Sequence, residues 1–223
     1  MDFNETKVLF KNAIERISSE TDTYAVSEAA FPAYAHKNPL IEHVFWKRLK
    51  LAYEFALRNN SRSVLDFGCG SGVLSYALAG ICKNVVALDI ETAPLELVRK
   101  KIVFPANIEF LDKDITTIDF GDQKFDLIIA LDVLEHVQDL NVYIEQFKKN
   151  LTPAGVILVS GPTENIFYKI GRKLAGHKFT GDYHVTDIHH IRRQFEHTME
   201  VTTEARLLWP LTLFELFSAR FAG

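Results

Sequence analysis

Little cysteine, no long apolar run and no basic cluster mark this sequence, and each shortage excludes something. Cys69 and Cys82 are the only cysteines. Two thiols make no disulfide framework, so reduced side chains in a cytosolic setting are the expectation. No stretch reaches roughly eighteen uncharged apolar residues, the length that spans a bilayer. The opening "MDFNETKVLFKNAIERISSE" is charged and amphipathic and lacks a signal peptide's apolar core. The expected location is cytoplasmic, with a membrane surface as a further candidate. Lysine and arginine total 25 against 29 acidic residues, a net charge of -4. That balance weighs against a nucleic-acid partner, which usually meets a basic face. What is present is ordinary for a globular chain: 223 residues, 48% hydrophobic and 24% charged. A globule of that size buries about 70% of its unfolded surface, so its core needs neither metal nor disulfide.

Two amphipathic helices open the chain. Phe10, Ala13, Ile14 and Ile17 recur at helical spacing within residues 3–18. Residues 40–58 set Val44, Phe45, Leu49, Ala52 and Phe55 on one stripe. The polar, proline-containing stretch between them reads as a loop over the body of the fold. Beyond residue 60 the pattern changes. Apolar runs at 63–67, 84–90, 107–115, 125–137 and 156–162 open as strands, two of them running on into loops. Helices fall between them, with Thr92 and Asp139 as candidate N-caps and "TPAG" as a turn. Five mostly continuous apolar strands alternating with helices indicate a parallel sheet covered on both faces. After Pro162 come a basic amphipathic helix, a loop, a helix opened by Asp187 and a last strand in "MEVTTEARLLW". The closing "PLTLFELFSARF" reads as an apolar helix.

"LDFGCGSG", residues 65–72, joins the first strand to the next helix with three glycines in five positions. A turn of this kind lets backbone approach a dinucleotide, a phosphate or another nucleotide-like ligand. The dinucleotide fingerprint G-x-G-x-x-G needs a third glycine where Val73 stands. Asp66 lies just ahead of the loop, and a carboxylate there suits an ammonium group better than a pyrophosphate.

"VLDFGCGSG" resembles the first motif of class I S-adenosylmethionine-dependent methyltransferases, and its companions follow in order. "VVALDI" ends its strand on Asp89, "LDKDI" supplies Asp114 with Asp112 two residues away, and "FDLIIALDVLEHV" and "LTPAGVILVS" come next. The resemblance covers about residues 40–162. It implies an α/β fold, Rossmann-like and doubly wound, with a mostly parallel sheet of six or seven strands and helices on both faces. The apolar C-terminal helix departs from the family's terminal strand hairpin, which leaves the seventh strand open. The implied cofactor is S-adenosyl-L-methionine. Its expected contacts are Asp66, Gly68, Cys69, Gly70, Ser71, Gly72, Asp89, Ile90, Asp114, Ile115, Leu131 and Asp132. In the family's arrangement Asp66 meets the methionine ammonium, backbone N–H groups of Gly68 to Gly72 receive the carboxylate, Asp89 binds the ribose hydroxyls and Asp114 sits near the adenine amine.

Methyl transfer from a sulfonium is an in-line displacement, so alignment is the main requirement. A hydroxyl acceptor gains from a general base. His136 stands beside the cleft by motif position, as base, acceptor contact or brace. Tyr183 and His184, in the loop after the fifth strand, are the second candidates. His177, His184, His189, His190 and His197 crowd one region, but their spacing matches no standard zinc pattern, so no metal is expected. The fourth-strand end reads "LDVLEH", without the proline pair of base-methylating enzymes, and no Pro-Cys pair suggests cytosine chemistry. The "LEH" pattern resembles methyltransferases of small molecules, quinones and lipids among them. The expected function is methyl transfer to a small-molecule or lipid-like acceptor, at a hydroxyl of an apolar or lipid-linked compound. The alternatives are a methyltransferase-fold binding protein without turnover and an NAD-dependent oxidoreductase. Ile166, Phe167, Ile170 and Leu174 share one face with Lys169, Arg172 and Lys173 around it. That face and the apolar tail suit a membrane surface, a homodimer contact or simple packing on the core. The expected organisation is one structural domain: N-terminal helices and a covering loop in 1–58, the cofactor core in 59–162, and an acceptor-side lid, last strand or strands and the apolar helix in 163–223.

Overall fold

The computed structural model of the chain describes residues 2–20, 34, 38–163, 186–208 and 211–222. They gather into two compact units, Met1–Asp114 and Ile115–Gly223. Seven strands form a mostly parallel α/β sheet with helices, the Rossmann-like class expected, at the higher of the two strand counts.

In the first unit α1 (Phe3–Glu20) and α2 (Pro39–Arg58) precede β1 (Ser63–Phe67), α3 (Val73–Ala79), β2 (Asn84–Asp89), α4 (Ala93–Arg99) and β3 (Ile108–Asp112). β2 runs parallel to β1 and β3, with Asp66 level with Ala87 and Asp89 level with Asp112. Nearly every residue of β1 and β2 is buried, which is why both read as unbroken apolar runs. α1 buries Phe10, Ala13, Ile14 and Ile17, as their spacing predicts. Asn38 caps α2 by accepting the Leu40 N–H, and Pro39 fills the first turn. α2 buries Val44, Leu49, Ala52 and Phe55 of the expected stripe, with Trp46, Arg48 and Ala56 beside them; Phe45 is only half-buried. Tyr34 packs against this face. Its ring packs edge-on to Phe45, and its carbonyl accepts the Trp46 indole N–H at 3.1 Å.

In the second unit a 3-10 turn (Ile115–Thr117) leads to β4 (Phe125–Leu131), a second 3-10 turn (Leu134–His136), α5 (Leu140–Asn150), β5 (Leu151–Pro162), α6 (Ile188–Glu196), β6 (Glu200–Leu207) and β7 (Phe214–Arg220). β4 and β5 are parallel, and β7 lies antiparallel between β5 and β6. The expected C-terminal helix is therefore wrong: residues 214–220 are a strand, and the terminal hairpin is present. β7 is flanked by strands and buried at every position but the last. A short apolar run of this kind has no period that separates strand from helix. "TPAG" does not end the preceding element; it bulges within β5, where the register slips between Phe125 and Leu127. Asp187 caps α6 by accepting the His190 N–H, whereas Thr92 and Asp139 hold N-cap positions without a side-chain bond.

Candidate functional site

The first unit brings most of the expected cofactor residues to the carboxyl ends of β1 and β2. The chain leaves β1 through Gly68, Gly70 and Gly72, all at positive φ, and turns into α3. Two of these glycines differ in what surrounds them. A β-carbon on Gly72 would stand 3.0 Å from Leu95 and Phe104 side-chain atoms, so this glycine allows the helix to pack. A β-carbon on Gly70 would meet nothing within 4 Å, so this glycine borders open space.

The loop is tied to the neighbouring strand rather than left open. Gly68 and Cys69 both donate to the Leu88 carbonyl, at 2.8 and 3.1 Å. Gly70 donates to Asp89 Oδ2 at 2.7 Å, and Gly72 donates to the Cys69 carbonyl at 2.9 Å. Of the N–H groups from Gly68 to Gly72 expected to receive a ligand carboxylate, three thus bond to β2 and one bonds within the loop; the Ser71 N–H is in neither set. Asp89 takes a second backbone bond, from Glu91 to Oδ1 at 2.9 Å. Ile90, the next residue, is an apolar side chain 72% exposed. Asp114 is half-buried and Asp112 exposed.

Asp66 is 3% exposed and accepts the Ser75 hydroxyl at 2.5 Å. Burial pushes its carboxyl up to about 6; the Ser75 hydrogen bond pulls the other way and the Asp89 carboxylate adds to the rise. The Tyr34 hydroxyl lies within electrostatic reach of both Asp66 and the buried Arg48, and burial pushes it up as well. Burial beside Asp66 and Asp89 likewise drives the Cys69 thiol far up, so Cys69 stays a neutral, unreactive side chain in the turn. Sequence reasoning missed Ser75, Tyr34 and Arg48. Ser75 had a signal: a hydroxyl on the first turn of α3 faces back toward the strand end.

The second unit holds Ile115, Leu131, Asp132 and His136. Ile115 is fully buried, Leu131 ends β4, and Asp132 follows it at φ +53°. Ser160 of β5, also missed in the sequence, donates its hydroxyl to Asp132 Oδ1 at 2.8 Å and accepts the Asp132 N–H at 3.0 Å. His136 closes the following 3-10 turn and is exposed. Tyr183 and His184 lie outside the described residues, as does the basic helix expected after Pro162.

Residues 65–159 match a family model described as a methyltransferase domain. A ubiquinone biosynthesis O-methyltransferase of Actinobacillus pleuropneumoniae is 39% identical over 107 residues, 44% of this chain and 45% of that protein. A probable S-adenosylmethionine-dependent methyltransferase of Mycobacterium tuberculosis is 26% identical over 128 residues, 57% of this chain and 46% of its own length. The chain thus spans about half the length of the relatives it matches. Among solved structures, the plantazolicin methyltransferase BpumL with S-adenosylhomocysteine superposes at a TM-score of 0.67, 11% identity and 99% of both chains. The N-methyltransferase NodS from Bradyrhizobium japonicum, also with S-adenosylhomocysteine, gives 0.65, 17% identity, 95% of this chain and 100% of that one. At these identities the two structures share the fold.

Proposed function

The chain carries a class I S-adenosylmethionine-dependent methyltransferase domain, and on that premise we propose that it transfers a methyl group from S-adenosyl-L-methionine to a hydroxyl of an apolar or lipid-linked small molecule. The observation that carries this reading is Asp66, a carboxylate 3% exposed beside a glycine loop. A buried acid whose ionisation is resisted by its surroundings favours a cationic partner. The methionine ammonium is one; a dinucleotide pyrophosphate would set negative charge against it.

The other residues fit the donor. Asp89 already accepts one backbone N–H on each oxygen, and each oxygen has a second acceptor site for a vicinal diol. Gly70 borders space into which a ligand can come against bare backbone. Exposed Ile90 offers an apolar surface for a nucleobase beside that acid. Asp114 is the candidate partner for the exocyclic amine, and the Ser71 N–H for the methionine carboxylate. Ile115, Leu131 and Asp132 remain candidates for the same ligand from their motif positions. When bound, the donor supplies a methyl group already activated on a sulfonium, which leaves alignment of the acceptor to the chain. The relatives named as ubiquinone biosynthesis O-methyltransferases support oxygen as the receiving atom.

Calorimetry tests the donor first. Micromolar binding of S-adenosylmethionine is expected. Asp89→Ala is expected to weaken it by roughly 10- to 100-fold, the worth of a hydrogen bond to a charged group. Tight NAD binding without S-adenosylmethionine binding would sink the reading. A labelled-methyl screen over phenols, quinols and glycolipids tests the acceptor. Silence across all three would favour a binding protein without turnover.

A further inference from the structure

We propose that the first unit takes up the cationic end of its ligand in exchange for a proton held on Asp66, an inference that rests on the reading of that ligand as S-adenosylmethionine. The first observation is an unequal pair of carboxylates near the ends of neighbouring strands. Asp89, closing β2, accepts the Gly70 N–H at 2.7 Å and the Glu91 N–H at 2.9 Å, one on each oxygen. Asp66, in β1, is 3% exposed and accepts the Ser75 hydroxyl at 2.5 Å. The two differ in the type of donor they meet. An amide N–H can only donate, whereas a hydroxyl donates to a carboxylate and accepts from a carboxylic acid. Ser75 therefore satisfies the buried Asp66 side chain in either protonation state by turning its own hydrogen.

The second observation is what surrounds Asp66. Within its reach are Ser75 on α3, Asp89 on β2, Cys69 in the glycine loop and the Tyr34 hydroxyl. Arg48 of α2, buried over the Phe45 ring at 4.2 Å, lies within reach of that hydroxyl. Burial drives the Cys69 thiol and the Tyr34 phenol up, so both stay neutral and supply no charge. Asp89 is a standing negative charge that opposes a second one at Asp66. Burial acts in the same direction and more strongly; the Ser75 hydroxyl pulls against them, as does the Ser75 N–H to a smaller degree, and the Asp66 carboxyl is left at about 6. The empty pair is thus more stable with one negative charge than with two.

A ligand ammonium reverses that preference, because it sets a positive charge against Asp66 where the proton had been. The Asp66 O–H bond breaks, its proton passes to water, and the ammonium keeps all of its own protons. The pair and its occupant carry one negative charge before and after. An α-amino group titrates at about 7.7–8.0, so the ligand stays a cation between pH 5 and 7. Affinity therefore rises with pH through about 6: below it the ligand must expel a proton, and above it Asp66 is already ionised. The exchange also selects among ligands, since one without an amino-acid end has nothing to put in the proton's place.

The test is calorimetry on the full chain at pH 5, 6 and 7, each in two buffers of different ionisation enthalpy, so that released protons are counted as heat. S-adenosylhomocysteine should release about half a proton at pH 6 and about nine-tenths at pH 5, and its affinity should fall about tenfold from pH 7 to pH 5. Methylthioadenosine keeps the nucleoside and lacks the amino-acid end; it should release no proton and bind equally at all three pH values. Asp66→Asn should abolish both the proton release and the pH dependence for S-adenosylhomocysteine. Ser75→Ala should move the midpoint above 6, which a serine that only packs would not do. A parent that binds S-adenosylhomocysteine equally at pH 5 and 7 without proton release would overturn the inference. So would the same release with methylthioadenosine or in Asp66→Asn, either of which would place the titrating group elsewhere. An unchanged midpoint in Ser75→Ala would overturn it too. A parent that binds neither ligand at any of these pH values removes the S-adenosylmethionine reading itself, and this inference with it.

Discussion

Asp66 sets affinity against stability. Its carboxyl titrates near 6 in the fold against an ordinary value of 3.8, because burial opposes the charge more than the Ser75 hydroxyl supports it. A raised carboxyl means that the folded state holds its proton longer than the unfolded chain. Stability from this group is therefore greatest below about pH 4 and is lost as pH rises through about 6. The loss at neutral pH is on the order of 3 kcal/mol, from a gap of about two pH units. Asp66→Asn keeps an acceptor for Ser75 and removes the charge. It should melt at a higher temperature than the parent at pH 7, by several degrees, with the difference vanishing near pH 4. Its affinity for S-adenosylmethionine should fall at least tenfold. Melts at both pH values and calorimetry check this; equal melting temperatures at pH 7 would contradict it. Asp66 and Asp89 were legible in the sequence because a charge ending an apolar strand has no packing role to explain it. Ser75 and Ser160 were not, because each acts through a partner on another element, 9 and 28 residues away.

At the scale of elements, the glycine loop separates packing from binding. Gly72→Ala would drive a methyl group to 3.0 Å from Leu95 and Phe104 at a φ of +78°. Strain and overpacking together should cost about 2–4 kcal/mol. Gly70→Ala has a φ of +53° but open space around it, so the cost should be only about 1 kcal/mol. The order should reverse for the ligand: Gly70→Ala fills the space a cofactor would occupy and should lose S-adenosylhomocysteine binding by more than tenfold. Urea melts and calorimetry on the same two variants check both orders. Equal stability losses would show that the loop is not divided in this way. The same loop shows how far local pattern carries. Strand, turn and helix followed directly from apolar run, glycines and apolar spacing. β7 did not, because "FELFSAR" is buried on both faces and has no alternation to mark it. Its one carboxylate, Glu215, is 3% exposed and meets Arg192 and Arg206, so even the acidic residue of the strand points inward. Only the pairing of β7 between β5 and β6 decides the assignment, and pairing is a tertiary fact.

For the whole molecule, the class of fold was legible because five strands and their helices alternate along the chain, and alternation is a global pattern. The acceptor was less so: a hydroxyl acceptor is chosen by the shape of a pocket, and residue types along a chain do not encode shape. The donor reading nevertheless has a consequence for the entire chain. A ligand that binds only the folded state raises its stability by RT ln(1 + [L]/Kd), about 2.7 kcal/mol at a hundredfold excess over Kd. For a protein of 150–250 residues each kcal/mol moves the melting temperature by about 2–4 °C. S-adenosylhomocysteine at that excess should therefore raise the melting temperature of this 223-residue chain by roughly 5–10 °C. NAD at the same concentration should leave it unchanged, because the loop lacks the third glycine and has a buried acid beside it. Because Asp66 must be ionised to hold an ammonium, the shift should also shrink as pH falls from 7 toward 5. A shift of equal size for both ligands, or one that grows on acidification, would mean that the loop holds something other than the amino-acid end of S-adenosylmethionine.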